Sequence, residues 1–92
     1  MHFVYVICTL DSPIRWYIGS TSDVQLRLQN HNAGRNASTR GHAWRLVYYE
    51  AYLTPSAAQL REKQLKQDGR SRRLLMERIR SSLESFKCGG QL

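Results

Sequence analysis

Two phenols, a guanidinium, an imidazole and a carboxylate, at Tyr5, Tyr17, Arg27, His31 and Glu62, have types and spacings that could do chemistry together. A carboxylate binds protons or hard cations, a guanidinium grips anionic oxygens in a fork, and imidazole and phenol exchange protons. Val24, Arg27, Leu28 and His31 follow i, i+3, i+4, i+7 spacing, so an arginine and a histidine share an apolar helical stripe. Ala58, Arg61, Glu62 and Leu65 repeat the pattern and turn the Glu62 carboxylate inward. Desolvating such charges costs several kcal/mol when they lack partners. Taken singly, each has an ordinary explanation. Arg27 can reach the edge or pair with a glutamate, His31 can be a satisfied boundary histidine, and Glu62 can pair with Lys66 one turn on. Taken together, they point to a shared site.

The elements that must position them are readable from the pattern. Phe3 to Thr9 is β-branched and aromatic, Asp11 to Pro13 is a turn signal, and Arg15 to Gly19 reads as a second strand, making a hairpin. Tyr5 and Tyr17 are both odd-numbered, so any register pairing odd with odd places their hydroxyls on one face. Gly19 ends the second strand without a side chain, permitting close approach of another group. Ser22 with Gln25 three residues on is a capping-box signature, opening a helix over Asp23 to Ala33 that stops at Gly34.

Gly34 to Ala43 has no hydrophobic period and reads as a loop. The next strand alternates, with Val47, Tyr49, Ala51 and Leu53 on one face and Leu46, Tyr48, Glu50 and Tyr52 on the other. Trp16, Tyr48 and Tyr52 read as core packing. Thr54 and Pro55 open a second helix running to Gln67. Leu75, Ile79, Leu83 and Phe86 mark a third, and Cys88 to Leu92 reads as a frayed tail. The expected fold is an α+β type α/β domain over residues 1–87, of order β-β-α-β-α-α. A small, mainly antiparallel three-stranded sheet is flanked by three helices.

Fourteen Lys and Arg against seven Asp and Glu give a formal charge of +7, which in so small a domain implies an anionic partner, nucleic acid first. Eleven of the cations are arginine, the side chain that binds phosphate bidentately. Cys8 and Cys88 have neither C-x-x-C spacing nor a histidine pair to complete a zinc site. The start lacks signal-peptide features, and no stretch is long enough to span a bilayer, so a cytoplasmic protein with no membrane partner is expected.

"FVYVI" at Phe3 to Ile7 and "WYIGST" at Trp16 to Thr21, followed by Arg27, His31 and Glu62, resemble the GIY-YIG nuclease domain. The similarity covers nearly the whole chain. The triplet Tyr17-Ile18-Gly19 is intact, whereas Phe3-Val4-Tyr5 keeps only its tyrosine. "HNAG" at His31, "TRG" at Thr39, "LVYYE" at Leu46 and "REKQLK" at Arg61 are similar to the small stand-alone bacterial members. Asp68-Gly69 departs from the apolar residue usual there.

The resemblance implies metal-dependent phosphodiester hydrolysis, with Glu62 holding one divalent cation, magnesium or manganese. By the same likeness Arg27 would stabilise charge on the scissile phosphate, Tyr5 or Tyr17 would help activate the attacking water, and His31 would assist that proton transfer or orient a tyrosine. DNA is the expected substrate, cut without strong sequence specificity. Phosphate contacts are expected from Arg35, Arg40 and Arg45 around the loop and from Arg70, Arg72 and Arg73 before the last helix. The alternative is a nucleic-acid-binding module with little or no catalysis, acting with or without a protein partner. Sequence leaves the oligomeric state open.

Overall fold

Val4, Tyr5, Val6, Ile7, Cys8 and Thr9 are each at most 2% exposed, a run without alternation that requires cover on both faces of one strand. That strand is β1 (His2–Thr9), the centre of an antiparallel sheet ordered β2-β1-β3, with β2 at Trp16–Thr21 and β3 at Trp44–Tyr52. The helices are α1 (Val24–Asn32), α2 (Pro55–Gln67) and α3 (Gly69–Gly90), giving the expected order β-β-α-β-α-α. The structure is a computed structural model describing the backbone of residues 1–90 and side chains through Leu83. The expectations for Phe86, Cys88 and the end of the tail lie outside the described side chains.

The two faces carry separate cores. Tyr5, Ile7 and Trp44, with Tyr17, Val24, Leu28 and Leu46, lie under α1. Val4, Val6 and Ile18 meet Ala58, Leu65, Leu75 and Ile79 from α2 and α3. β1 pairs with β2 odd to odd, Tyr5 opposite Gly19 and Ile7 opposite Tyr17. Both phenols therefore share the α1 face.

The strict alternation expected for β3 fails at a bulge. Val6 pairs with Tyr48 but Ile7 pairs with Leu46, leaving Val47 as the extra residue. Beyond it the faces exchange, so Leu46 joins the α1 side and Val47 packs toward α2 and α3. The shift also lets Trp44 fill the α1-side core, where it is 7% exposed.

Helix ends follow local polar chemistry. Asp23, in extended backbone, accepts from the Leu26 N–H at 3.0 Å and is the N-cap of α1. The cap is thus one residue later than the Ser22 box predicted, because a carboxylate stands where the hydroxyl was expected to act. Thr54 caps α2 by accepting from Ala57 N–H, with Pro55 in the first turn as expected. Asp68 ends α2 and starts α3, accepting from Arg70 N–H at 3.1 Å and Ser71 hydroxyl at 2.7 Å. This double role accounts for a polar residue at the link, and for α3 beginning well before its apolar stripe.

Candidate active site

β1 and α1 bring the first pair into contact. The Tyr5 hydroxyl lies 2.8 Å from His31 Nε2, and both residues are buried, His31 completely. On the other side of the ring, His31 Nδ1 lies 2.7 Å from the Thr39 hydroxyl, whose own proton goes to the Asn36 carbonyl at 3.3 Å. The Thr39 oxygen therefore accepts from Nδ1–H, and Nε2 is left with a lone pair that accepts the Tyr5 proton.

Hydrogen bonds to Trp44 hold the loop that carries Thr39. Trp44 donates its indole N–H to the Thr39 carbonyl at 2.8 Å, and Asn32 exchanges two hydrogen bonds with the Trp44 backbone, at 3.1 and 2.6 Å. Gly34 takes a φ of 74°, a left-handed conformation that frees the chain from α1. Thr39 is wholly buried. Its role was invisible in the sequence, where only its place in "TRG" drew notice.

Burial, followed by the Arg27 charge, lowers the His31 pKa from 6.5. Burial, reinforced by neighbouring Tyr17, raises that of Tyr5 well above 10, although Arg27 opposes the rise. The resting pair is therefore a neutral phenol on a neutral imidazole. Tyr17 adjoins both, its ring centroid 4.9 Å from that of His31 and 6.4 Å from that of Tyr5. Its hydroxyl has no hydrogen-bond partner among the described residues.

Arg27 is half-buried on α1 and pairs with no carboxylate among the described residues. Its charge nonetheless acts on Tyr5, His31 and Glu62 alike, lowering the pKa of each. A guanidinium at such a focus without an anion of its own is chemically able to grip an external one.

Glu62 reaches the edge strand from α2. Its Oε1 accepts from the Ser20 hydroxyl at 2.6 Å and its Oε2 from Lys66 Nζ at 2.7 Å, and Lys66 lies 5.4 Å from the centre of the Tyr17 ring. Burial alone would raise its pKa, but the hydrogen bonds from Lys66 and Ser20 and the charges of Lys66 and Arg27 outweigh burial and lower it. The carboxylate is ionised at neutral pH. The pairing with Lys66 expected from spacing is present, yet the inward turn to Ser20 is present too.

No cluster of three or more His, Cys, Asp or Glu able to hold a metal occurs among the described residues. One ionised carboxylate fits magnesium or manganese, which keep several waters and take further oxygens from phosphate. It does not fit a closed zinc site.

Residues 1–75 match the family described as the GIY-YIG catalytic domain. The chain belongs to that family. A UPF0213 protein of Haloquadratum walsbyi is 42% identical over 71% of this chain and 73% of its own length. UPF0213 proteins of Halobacterium salinarum (41%, covering 79% and 95%) and Staphylococcus haemolyticus (36%, covering 82% and 92%) are also similar. No solved structure matches the chain. A GIY-YIG catalytic domain is a nuclease-type fold, so Tyr5, Tyr17, Arg27, His31 and Glu62 sit on a scaffold whose substrate is nucleic acid.

Around this GIY-YIG site the arginines are scattered. Arg35 and Arg40 are exposed beside α1, held by Asn30 Oδ1 at 2.9 Å and the Gly34 carbonyl at 3.0 Å. Arg45 does not join them: it pairs with Cys8 across the sheet and turns toward α3. Arg72 caps the end of α2 through the Leu65 and Lys66 carbonyls, at 3.4 and 3.0 Å, while Arg70 and Arg73 are exposed.

A second polar cluster went unforeseen. Tyr48 and Tyr52 each donate to Glu50 at 2.6 Å, and Arg61 grips both carboxylate oxygens at 3.0 and 3.2 Å. These tyrosines are hydrogen-bonded as well as packed. Alternation had placed all three strand residues on one face, but nothing in it showed that Arg61 would meet them.

Proposed function

We propose that this GIY-YIG domain is a metal-dependent endonuclease that hydrolyses phosphodiester bonds in DNA without strong sequence specificity. The observation that carries this reading is the buried Tyr5–His31–Thr39 relay beside an arginine with no anion of its own. Arg27 holds the scissile phosphate and neutralises charge that grows on its oxygens. As water attacks phosphorus, its proton passes to the Tyr5 oxygen while the Tyr5 proton moves to His31 Nε2. His31 becomes a cation whose Nδ1–H stays on Thr39. The bond to the leaving oxygen breaks as the new P–O bond forms, and that oxygen takes a proton from solvent. Tyr17, with its free hydroxyl, donates to a phosphate oxygen or orients the water. Glu62 would hold the divalent cation, which when bound supplies Lewis-acid stabilisation of the phosphate. Arg35, Arg40, Arg70 and Arg73 contact phosphates of the flanking strand and carry no base information.

The test is nicking of supercoiled, single-stranded and branched DNA with magnesium or manganese, alongside Glu62→Ala and Arg27→Ala. Cleavage by the unaltered protein, lost in both variants, supports the enzyme. Glu62→Ala should keep its DNA affinity, and a large loss would make Glu62 structural.

One observation favours the second reading, a binding module that hydrolyses little or nothing without a partner. The Lys66 ammonium is bonded to Glu62 Oε2, where it competes with a cation. Binding without cleavage by all three proteins would select that reading.

A further inference from the structure

Two hollows on the α2 and α3 side of β2 adjoin at Trp16 and are taken together as a groove. Its first stretch, about 250 Å³, is lined by Tyr17, Trp16, Lys66, Arg72 and Met76, and its second, about 520 Å³, by Trp16, Arg45, Arg80 and Leu83. Trp16 belongs to both and joins them. One wall is a single stripe of α3, since Arg72, Met76, Arg80 and Leu83 recur at steps of four, four and three. The floor at the far end is a row across the sheet, because Cys8 pairs with Trp16 on one side and Arg45 on the other.

Charge and shape agree on an occupant. Lys66, Arg72, Arg80 and Arg45 line the two stretches, and among the described residues no Asp or Glu does. Arg72 is held in place by the α2 carbonyls. Trp16 is only half-buried, so part of the indole is free for a base. A paired duplex keeps its bases stacked inside and shows phosphates outward, whereas an unpaired strand offers both phosphates and base faces.

We propose that this groove binds a single-stranded DNA segment running on from the scissile phosphate, with a base stacked on Trp16 and phosphates on Arg72, Arg80 and Arg45. The direction of the strand rests on the nuclease reading; the binding does not.

The experiment is fluorescence anisotropy of a short labelled oligodeoxythymidylate in EDTA, where cleavage plays no part, with a blunt hairpin duplex for comparison. Trp16→Ala should weaken oligomer binding roughly tenfold, within the range for loss of one base stack, and Trp16→Phe should restore most of it. Arg45→Gln with Arg80→Gln should flatten the log affinity against log salt slope by about 1.4, at about 0.7 per phosphate contact. The loss of affinity for the duplex should be smaller than the loss for the oligomer. Because both arginines are exposed, the double variant remains informative if Trp16→Ala fails to fold. An unchanged slope and affinity in the double variant, or an equal loss on the duplex, would overturn the groove. Failure to cleave DNA in magnesium or manganese would instead count against the nuclease reading alone.

Discussion

The ring of Tyr5 lies across Gly19 so closely that a Cβ at Gly19 would stand 2.5 Å from the phenol oxygen and 2.7 Å from Cζ. Strand pairing sets those two residues opposite each other, and the missing side chain lets the phenol reach His31 instead of being turned away. Gly19→Ala should therefore destabilise the fold by about 1–3 kcal/mol, the usual cost of overpacking, and lower cleavage by more than Tyr17→Phe does. Denaturant unfolding and nicking assays read the two effects separately. Unchanged turnover in Gly19→Ala would mean the Tyr5 position is not critical.

Thr39→Val should leave the His31 Nδ1–H without an acceptor, a buried loss of about 1–3 kcal/mol, and release the tautomer that aims the Nε2 lone pair at Tyr5. Nitrogen chemical shifts of the imidazole report the tautomer directly. A spectrum unchanged by the substitution would assign the orientation to packing.

Cleavage should depend on His31 being neutral. With its pKa held below 6.5 by burial and the Arg27 charge, the rate should be level near neutrality and fall only on the acid side. Stability follows the same sense: the unfolded chain takes up the His31 proton first, so this contribution is complete above pH 6.5 and lost as pH falls toward the folded value. Arg27→Gln should move the His31 titration upward, because one of the two depressing influences is gone. A His31 titration that stays put in Arg27→Gln, followed by imidazole NMR shifts against pH, would separate Arg27 from the relay.

Glu50→Gln should destabilise the domain by about 2 kcal/mol through loss of charge-assisted bonds from Arg61, Tyr48 and Tyr52, while leaving the catalytic face intact. Burial opposes ionisation of Glu50, but the bonds from Arg61, Tyr48 and Tyr52 prevail and lower its pKa from 4.5. Its stabilisation is therefore present above pH 4.5 and lost as pH falls through the lower folded value. Alkaline behaviour mirrors this, since burial and Glu50 push Tyr48 up to about 12. That contribution is present below pH 10 and lost as pH rises toward the folded value. Urea unfolding at several pH values would show both limbs, and the acid limb should shrink in Glu50→Gln.

Asp23→Ala should cost about 1 kcal/mol as the loss of a helix N-cap, whereas Ser22→Ala should be close to neutral. Thermal melts of the two variants would distinguish the residues; the reverse order would restore the capping box at Ser22.

Element order, the hairpin and the stripe carrying Arg27 and His31 were legible in the chain, whereas the shared face of Tyr5 and Tyr17 waited on a register that only the paired strands fix. Helical period, strand alternation and turn chemistry are local properties that the order of residues encodes. The partners of those side chains were not legible. The β3 bulge, which exchanges Leu46 and Val47 between faces, depends on fit against β1. The meeting of Thr39 with His31, of Ser20 with Glu62 and of Arg61 with Glu50 depends on which segments the two cores press together. Such contacts arise between residues far apart in sequence, because hydrophobic burial is non-directional and only packed side chains fix which polar groups are left to pair.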